Sequence, residues 1–327
     1  MSVSSGMDNR LSCLFRQKAE LAAEAEKLAG KAYKFSKYGE LVPAEIEEQC
    51  RENNRRLEEL VFEIQAELDK PGPAHFSREN TWLWGGPTPY WGGCSKPDCA
   101  MNGARWFGFQ NVVYVYGPVD EEAIALHSCA QRLLCQLSEV SRSPGASRGT
   151  DAETAERLSK LSLQYPNIEG GIIDDLVGHF GRDLSLEGLV EIRNALKSHN
   201  AGLKLYSVVY ASELESPKIR EIEPYLDAVN LWLGYKYQLN EMDYAIEKCR
   251  LVFPGRNIML GVFLFDYFAT QTPNTVDFLS IQLEKARGYL AQGKISDIVI
   301  LGDREIDKVP DEARFARDFF QREFSFH

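Results

Sequence analysis

The sequence has no long apolar run, no surplus of positive charge and no dense cysteine framework. No stretch of ~18 apolar residues occurs, so nothing reads as a membrane-spanning helix. Lysine and arginine number 37 against 48 aspartates and glutamates, a formal net charge of −11. That balance repels nucleic-acid phosphates and anionic lipid at long range, so neither is expected as a partner. Residues 1–10 are polar and lack the apolar core of a signal peptide. A cytoplasmic protein is therefore expected, unless a leader has been removed.

The seven cysteines are odd in number and scattered: Cys13, Cys50, Cys94, Cys99, Cys129, Cys135 and Cys249. A chain this long builds its own core and does not need disulfide staples. Cys94 and Cys99 are the one close pair. Their spacing is wider than a zinc knuckle and no second pair accompanies them. The histidines, His75, His127, His179, His199 and His327, are isolated along the chain. No metal and no cofactor is expected from such a pattern, although carboxylates alone can hold a divalent ion. A Gly-x-Gly-x-x-Gly turn and a Gly-x-Ser-x-Gly elbow are both missing, which argues against dinucleotide binding and serine acyl transfer.

What is present reads as globular, with 44% hydrophobic and 26% charged residues. Residues 9–70 carry two helical periodicities separated by a Gly-Glu-Leu-Val-Pro break at 39–43 and ended by Pro-Gly-Pro at 71–73. They predict a helical hairpin extension over residues 1–73. Capping a neighbouring domain and self-association into a homo-oligomer are both compatible with it.

Residues 74–327 change texture. Apolar runs near 81–85, 111–117, 170–175, 204–210, 228–233, 257–265 and 296–302 alternate with amphipathic stretches at 120–139, 151–164, 185–199, 218–226, 240–251, 275–292 and 311–324. The runs are continuous rather than alternating, as strands buried on both faces require. The pattern predicts an α/β fold, a (β/α)8 TIM-like barrel of the usual size of about 250 residues. Seven strands are visible, so either the barrel is incomplete or an eighth strand is short and polar. Residues 141–150 are loop-like and offer none. A doubly wound open sheet is the structural alternative.

In such a barrel the active site forms at the C-terminal ends of the strands. Asp174 and Asp175 close the Ile-Ile run there, and buried acids need partners or a purpose. Alternation along a strand predicts that only one of the two enters the mouth. The structural alternative is a helix cap or a pair with Arg182. Asp266 interrupts an aromatic run, where a structural hydrogen bond is the alternative. Asp303 follows Ile-Leu-Gly, and Asp-Arg-Glu at 303–305 also fits a solvated turn. Glu213 and Glu215 read as surface residues. His179 is the one histidine near a strand end. Trp84, Tyr116, Tyr210 and Trp232 share the same predicted face. Flat rings suit the apolar face of a sugar and carboxylates suit its hydroxyl rim.

The runs at 165–175, 225–233, 253–267 and 293–302 resemble strand patterns of uncharacterised bacterial TIM-barrel proteins of the glycoside hydrolase type. The likeness spans about residues 80–322. It implies that Asp174, Asp175 and Asp266 lie in the barrel mouth. The chain departs from the chitinase-type Asp-x-x-Asp-x-Asp-x-Glu strand, and Asn240-Glu241 sits at a helix start rather than on a fourth strand.

The expected function is a carbohydrate-active hydrolase acting on a small-molecule or oligosaccharide substrate. Asp174, Asp175 and Asp266 are the candidate catalytic carboxyls. Trp84, Tyr116, Tyr210, Trp232 and Asp303 are the candidate substrate contacts. The alternatives are a non-catalytic saccharide-binding barrel and a carboxylate-bound divalent-metal isomerase or lyase.

Overall fold

Two long amphipathic segments open the chain as helices α1 (Ser4–Lys37) and α2 (Ala44–Leu68), joined through the left-handed Gly39. They pack on each other through Leu14, Leu60 and Ile64, with Phe15 and Leu21 alongside. The Asn53 amide donates to the Leu21 carbonyl at 3.3 Å. The computed structural model describes residues 4–68, 72–138 and 150–326. The chain divides into two compact units, Met1–Pro71 and Gly72–His327.

The second unit holds eight strands: β1 (Thr81–Gly85), β2 (Asn111–Tyr114), β3 (Arg132–Gln136), β4 (Ile168–Ile173), β5 (Lys204–Tyr210), β6 (Ala228–Trp232), β7 (Asn257–Phe263) and β8 (Asp297–Leu301). Each pairs in parallel with the next, and β1 pairs with β8, closing the barrel in chain order. The open-sheet alternative is thereby excluded. Around the barrel run α3 (Cys99–Phe107), α4 (Glu121–Leu126), α5 (Asp151–Leu161), α6 (Leu176–His179), α7 (Leu186–Leu196) and α8 (Ile219–Ile222). Then follow α9 (Met242–Val252), α10 (Val276–Ala291), α11 (Glu305–Lys308) and α12 (Pro310–Phe324).

The barrel is complete, and β3 is the strand missing from the sequence reading. The helix expected over 120–139 stops at Leu126, and Arg132–Gln136 pairs with β2 and β4 instead. Arg-Leu-Leu-Cys-Gln has no strand propensity of its own, because leucine and arginine favour helix. Burial between two neighbouring strands overrides that preference. Of the loop-like stretch at 141–150, residues 141–149 lie outside the described residues. Thr150 caps α5 through a reciprocal bond with Glu153. Helix α3 lies in a stretch to which the sequence pattern assigned no element.

The interior of the barrel is layered. At its N-terminal end the Trp82 indole donates to Asp297 at 2.7 Å, and the Arg132 guanidinium lies 4.5 Å from the Trp82 ring. Arg132 also bonds Glu169 and Asp297, and the Tyr206 hydroxyl donates to Glu169 at 2.5 Å. Burial pushes the Glu169 carboxyl up, but the Arg132 bond and charge outweigh it and hold it at about 2. This polar plug seals the face of the barrel where stability, not chemistry, is expected to reside.

Nearer the C-terminal end, Trp232 lies across β7. Its ring is accommodated because Gly261 has no side chain: a Cβ there would sit 2.1 Å from the indole. The indole is pinned by its bond to Asn230 Oδ1 at 2.8 Å and cannot retreat. Gly261→Ala is therefore expected to destabilise the barrel by about 1–3 kcal/mol in urea titration. Gly30→Ala, where a Cβ meets nothing within 4 Å on helix α1, is expected to be neutral or slightly stabilising.

Candidate functional site

A cavity of about 610 Å³ opens at the C-terminal ends of the strands. Trp84, Tyr116, Tyr210, Trp232 and Phe263 line it, together with Trp91, Tyr267 and Phe268 from the following loops. The rings meet edge to face, Trp84 on Trp232 at 5.7 Å and Trp91 on Tyr116 at 5.2 Å. Trp84 Nε1 donates to the Tyr116 hydroxyl at 3.0 Å, which fixes both side chains. All four aromatics expected at the mouth from the sequence are brought together there.

Asp174 and Asp175 lie on the β4 side of this cavity. Asp174 keeps the inward phase of Ile172, which faces the barrel interior, whereas Ile173 faces the helices. Strict alternation would turn Asp175 away. It does not, because Asp175 adopts a left-handed backbone (φ 51°) that breaks the alternation as α6 begins. Both acids consequently line the mouth, which corrects the expectation of one. The Asp175 Oδ1 atom is buried without a hydrogen-bond partner. Arg182 pairs with Asp183 at 2.6 Å rather than with either acid, and His179 bonds the same carboxylate at 2.7 Å. Burial, with Asp175 and Asp174 adjacent, drives the Tyr210 phenol far up. Burial, with Asp174 adjacent, does the same to Tyr116.

Three strands lie between β4 and β8 in either direction round the closed barrel, so their ends face each other across the mouth. On the β8 side stand Asp303, Arg304, Glu305 and Lys308. Asp303 occupies space left by two glycines. A Cβ on Gly85 would lie 2.6 Å from its carboxyl carbon, and one on Gly103 3.0 Å from its Cβ. The Gly86 amide donates to Asp303 Oδ2 at 3.2 Å. Burial pushes the Asp303 carboxyl up to about 6; the Cys99 thiol beside it pulls down and neighbouring Glu305 pushes up. Cys99 and Cys94 are both free thiols.

Glu305 is completely buried, and burial raises its pKa against the pull of Arg304 and Tyr267. The Tyr267 hydroxyl donates to Glu305 Oε1 and accepts from Arg304 Nη2 at 2.5 Å. Glu305 Oε2 has no partner. Glu305 and Tyr267 did not emerge as candidates from the sequence. The signal was the acid-cation-acid triplet immediately after a fully apolar strand, which fits a solvated turn equally well until burial is known.

Asp266 is the sequence candidate that the structure does not bring to the cavity. It lies three residues beyond β7, and the intervening Leu264 and Phe265 both pack in the cluster between strands and helices. Its carboxylate accepts from the amides of Phe268, Ala269 and Thr270 and from the Thr270 hydroxyl, at 2.7–3.2 Å. Burial raises its pKa, but these four donors outweigh burial and hold it below the ordinary range. Asp266 therefore shapes the loop after β7, where it adjoins a separate, water-sized void with Asn274 and Gln282.

Three non-glycine residues among those described have a left-handed backbone: Tyr116 (φ 65°), Asp175 (φ 51°) and Gln271 (φ 53°). All three line this one cavity. Such backbone costs of order 1–3 kcal/mol per residue and concentrates where function demands it. Among the described residues, no three acidic, histidine or cysteine side chains converge to hold a metal ion. No described helix is long and apolar enough to cross a membrane.

No family model and no curated protein matches the chain in sequence. Solved structures similar to it include concanavalin B, a GH10 xylanase and a chitinase domain. Concanavalin B matches with a TM-score of 0.48 at 10% identity, covering 74% of this chain and 98% of its own. A xylanase from Thermobacillus composti matches at 0.47 and 13% identity, covering 75% and 96%. A thermostable chitinase domain from Pyrococcus furiosus matches at 0.45 and 12% identity, covering 71% and 85%. Identities this low and TM-scores below 0.5 transfer no activity and no residue role to this chain.

Asp266→Ala leaves three amides without their acceptor. It is expected to lower unfolding free energy by about 2–3 kcal/mol in urea titration. Because the native pKa is depressed, that stabilisation is present above the ordinary aspartate range and fades as pH falls through the depressed value. The wild-type advantage over the variant should shrink accordingly in acid.

Proposed function

We propose that the protein is a carbohydrate-active hydrolase whose active site is this mouth. The observation that carries the reading is the placement of two carboxylate groups on opposite walls of an aromatic bowl. Cleaving a glycosidic bond needs one carboxyl to protonate the leaving oxygen and a second to act as nucleophile or to activate water. Asp303, with its carboxyl raised to about 6, suits the proton donor. The Asp174–Asp175 pair supplies the opposing carboxylate, which engages the anomeric carbon directly or through a water.

Trp84, Trp232 and Tyr116 offer ring faces and edges to the apolar side of a sugar. Tyr210, beside the acidic pair, stays protonated and can donate to a substrate hydroxyl or hold the carboxylates in place. Neither aromatic bowl nor acids require a metal for this chemistry. The role first expected for Asp266 passes to Asp303, which sits where Asp266 does not.

An assay of released reducing ends over a panel of oligosaccharides and aryl glycosides tests the reading. Activity should fall as pH rises through about 6, because Asp303 then loses the proton it must deliver. Asp303→Asn should lower kcat roughly a hundredfold or more, with the melting temperature kept near wild type. Asp174→Asn or Asp175→Asn should do the same. Sugar binding without cleavage at every pH would replace the enzyme with a saccharide-binding barrel. Unchanged turnover in all three variants would remove the assignment.

A further inference from the structure

The two cations of the β8 wall are arranged unusually. Arg304 and Lys308 both flank the Tyr267 ring, at 5.1 Å and 4.7 Å from its centroid, and Lys308 also lies 3.4 Å from the centre of Phe265. Both line the cavity. Arg304 spends Nε on Glu305 and Nη2 on Tyr267, which leaves Nη1 without a bond among the described residues. Lys308 has no carboxylate within ion-pair reach among the described residues, although the chain carries a large acidic surplus.

Aromatic faces attract an ammonium but do not neutralise it. Two like charges over one ring repel, and that repulsion is relieved when an anion sits between them. At Lys308 the charge of Arg304 acts more strongly than that of Glu305, and burial with this repulsion lowers the lysine pKa. The β4 wall, by contrast, carries the Asp174–Asp175 pair. The β8 wall holds both cations beside Asp303 and Glu305, whose neutral forms are favoured by burial, so the mouth is more cationic there than on the β4 side.

We propose that the cavity takes an acidic saccharide, with a ring carboxylate or sulfate seated between Arg304 and Lys308. The arginine fork matches a planar or tetrahedral oxyanion, and the lysine adds a point charge. The polarity would also orient the sugar, since its anionic group is repelled by the β4 wall and drawn to the β8 wall. This inference rests on the saccharide reading of the site and names its substrate class.

The test is binding of glucuronides, galacturonides and sulfated sugars, each against its neutral counterpart, to the full chain by calorimetry. At least one acidic member should bind about tenfold or more tightly than its neutral partner, and added salt should narrow the gap. Lys308→Met should cut that ratio about tenfold, and Lys308→Arg should restore most of it. Carboxylate and sulfate arms distinguish the two anions. Equal or weaker binding of every acidic member, or a ratio unmoved in Lys308→Met, overturns the proposal. Acidic sugars held through Lys308 but never cleaved would sustain it and sink the hydrolase. Cleavage of neutral sugars with no acidic preference would do the reverse.

Discussion

Closure of the sheet between β1 and β8 is the constraint from which the rest follows. A parallel ladder in chain order leaves no free edge only if the last strand returns to the first. Once it does, the end of β4 faces the end of β8, and acids far apart in sequence share one opening. An open sheet in the same strand order would leave them four places apart along one row, with no shared opening. The polar plug of Arg132, Glu169 and Asp297 draws on β3, β4 and β8 at once, so it ties the closure together from below.

Above that plug, the site is made by omissions as much as by side chains. Gly261 yields its space to Trp232, and Gly85 and Gly103 yield theirs to Asp303. Each glycine turns a tightly packed barrel interior into a seat for one large or charged group. The left-handed residues Tyr116 and Asp175, just beyond β2 and β4, add a second device, because each turns a side chain into the mouth against strand alternation. The stability of the closed barrel supports that local strain.

The electrostatics follow from the same packing. Asp303 and Glu305 sit in low-dielectric surroundings, so their neutral forms are favoured. Asp266 is only 3% exposed, yet four donors of its own loop favour its charged form. Burial alone therefore does not predict which acid can carry a proton at working pH. The donors each acid finds decide it, and those donors come from backbone that folds into place around it.

Read from the residues alone, the chain already declared an alternating β-α order, a helical hairpin ahead of it and the aromatic-acidic character of the strand ends. Continuous apolar runs and helical periodicity are local signals, and burial on both faces leaves little freedom in how they are used. The third strand was hidden because Arg132–Gln136 has helix-favouring residues and becomes a strand only between β2 and β4. Which acids meet was equally a matter for the tertiary structure. Asp175 enters through a left-handed turn, Asp266 is retained by its loop, and Glu305 is buried by the packing of Tyr267 and Arg304 over it. Side-chain direction at a strand end depends on the first irregular residue after the strand, and that residue is set by contacts with segments far away in the chain.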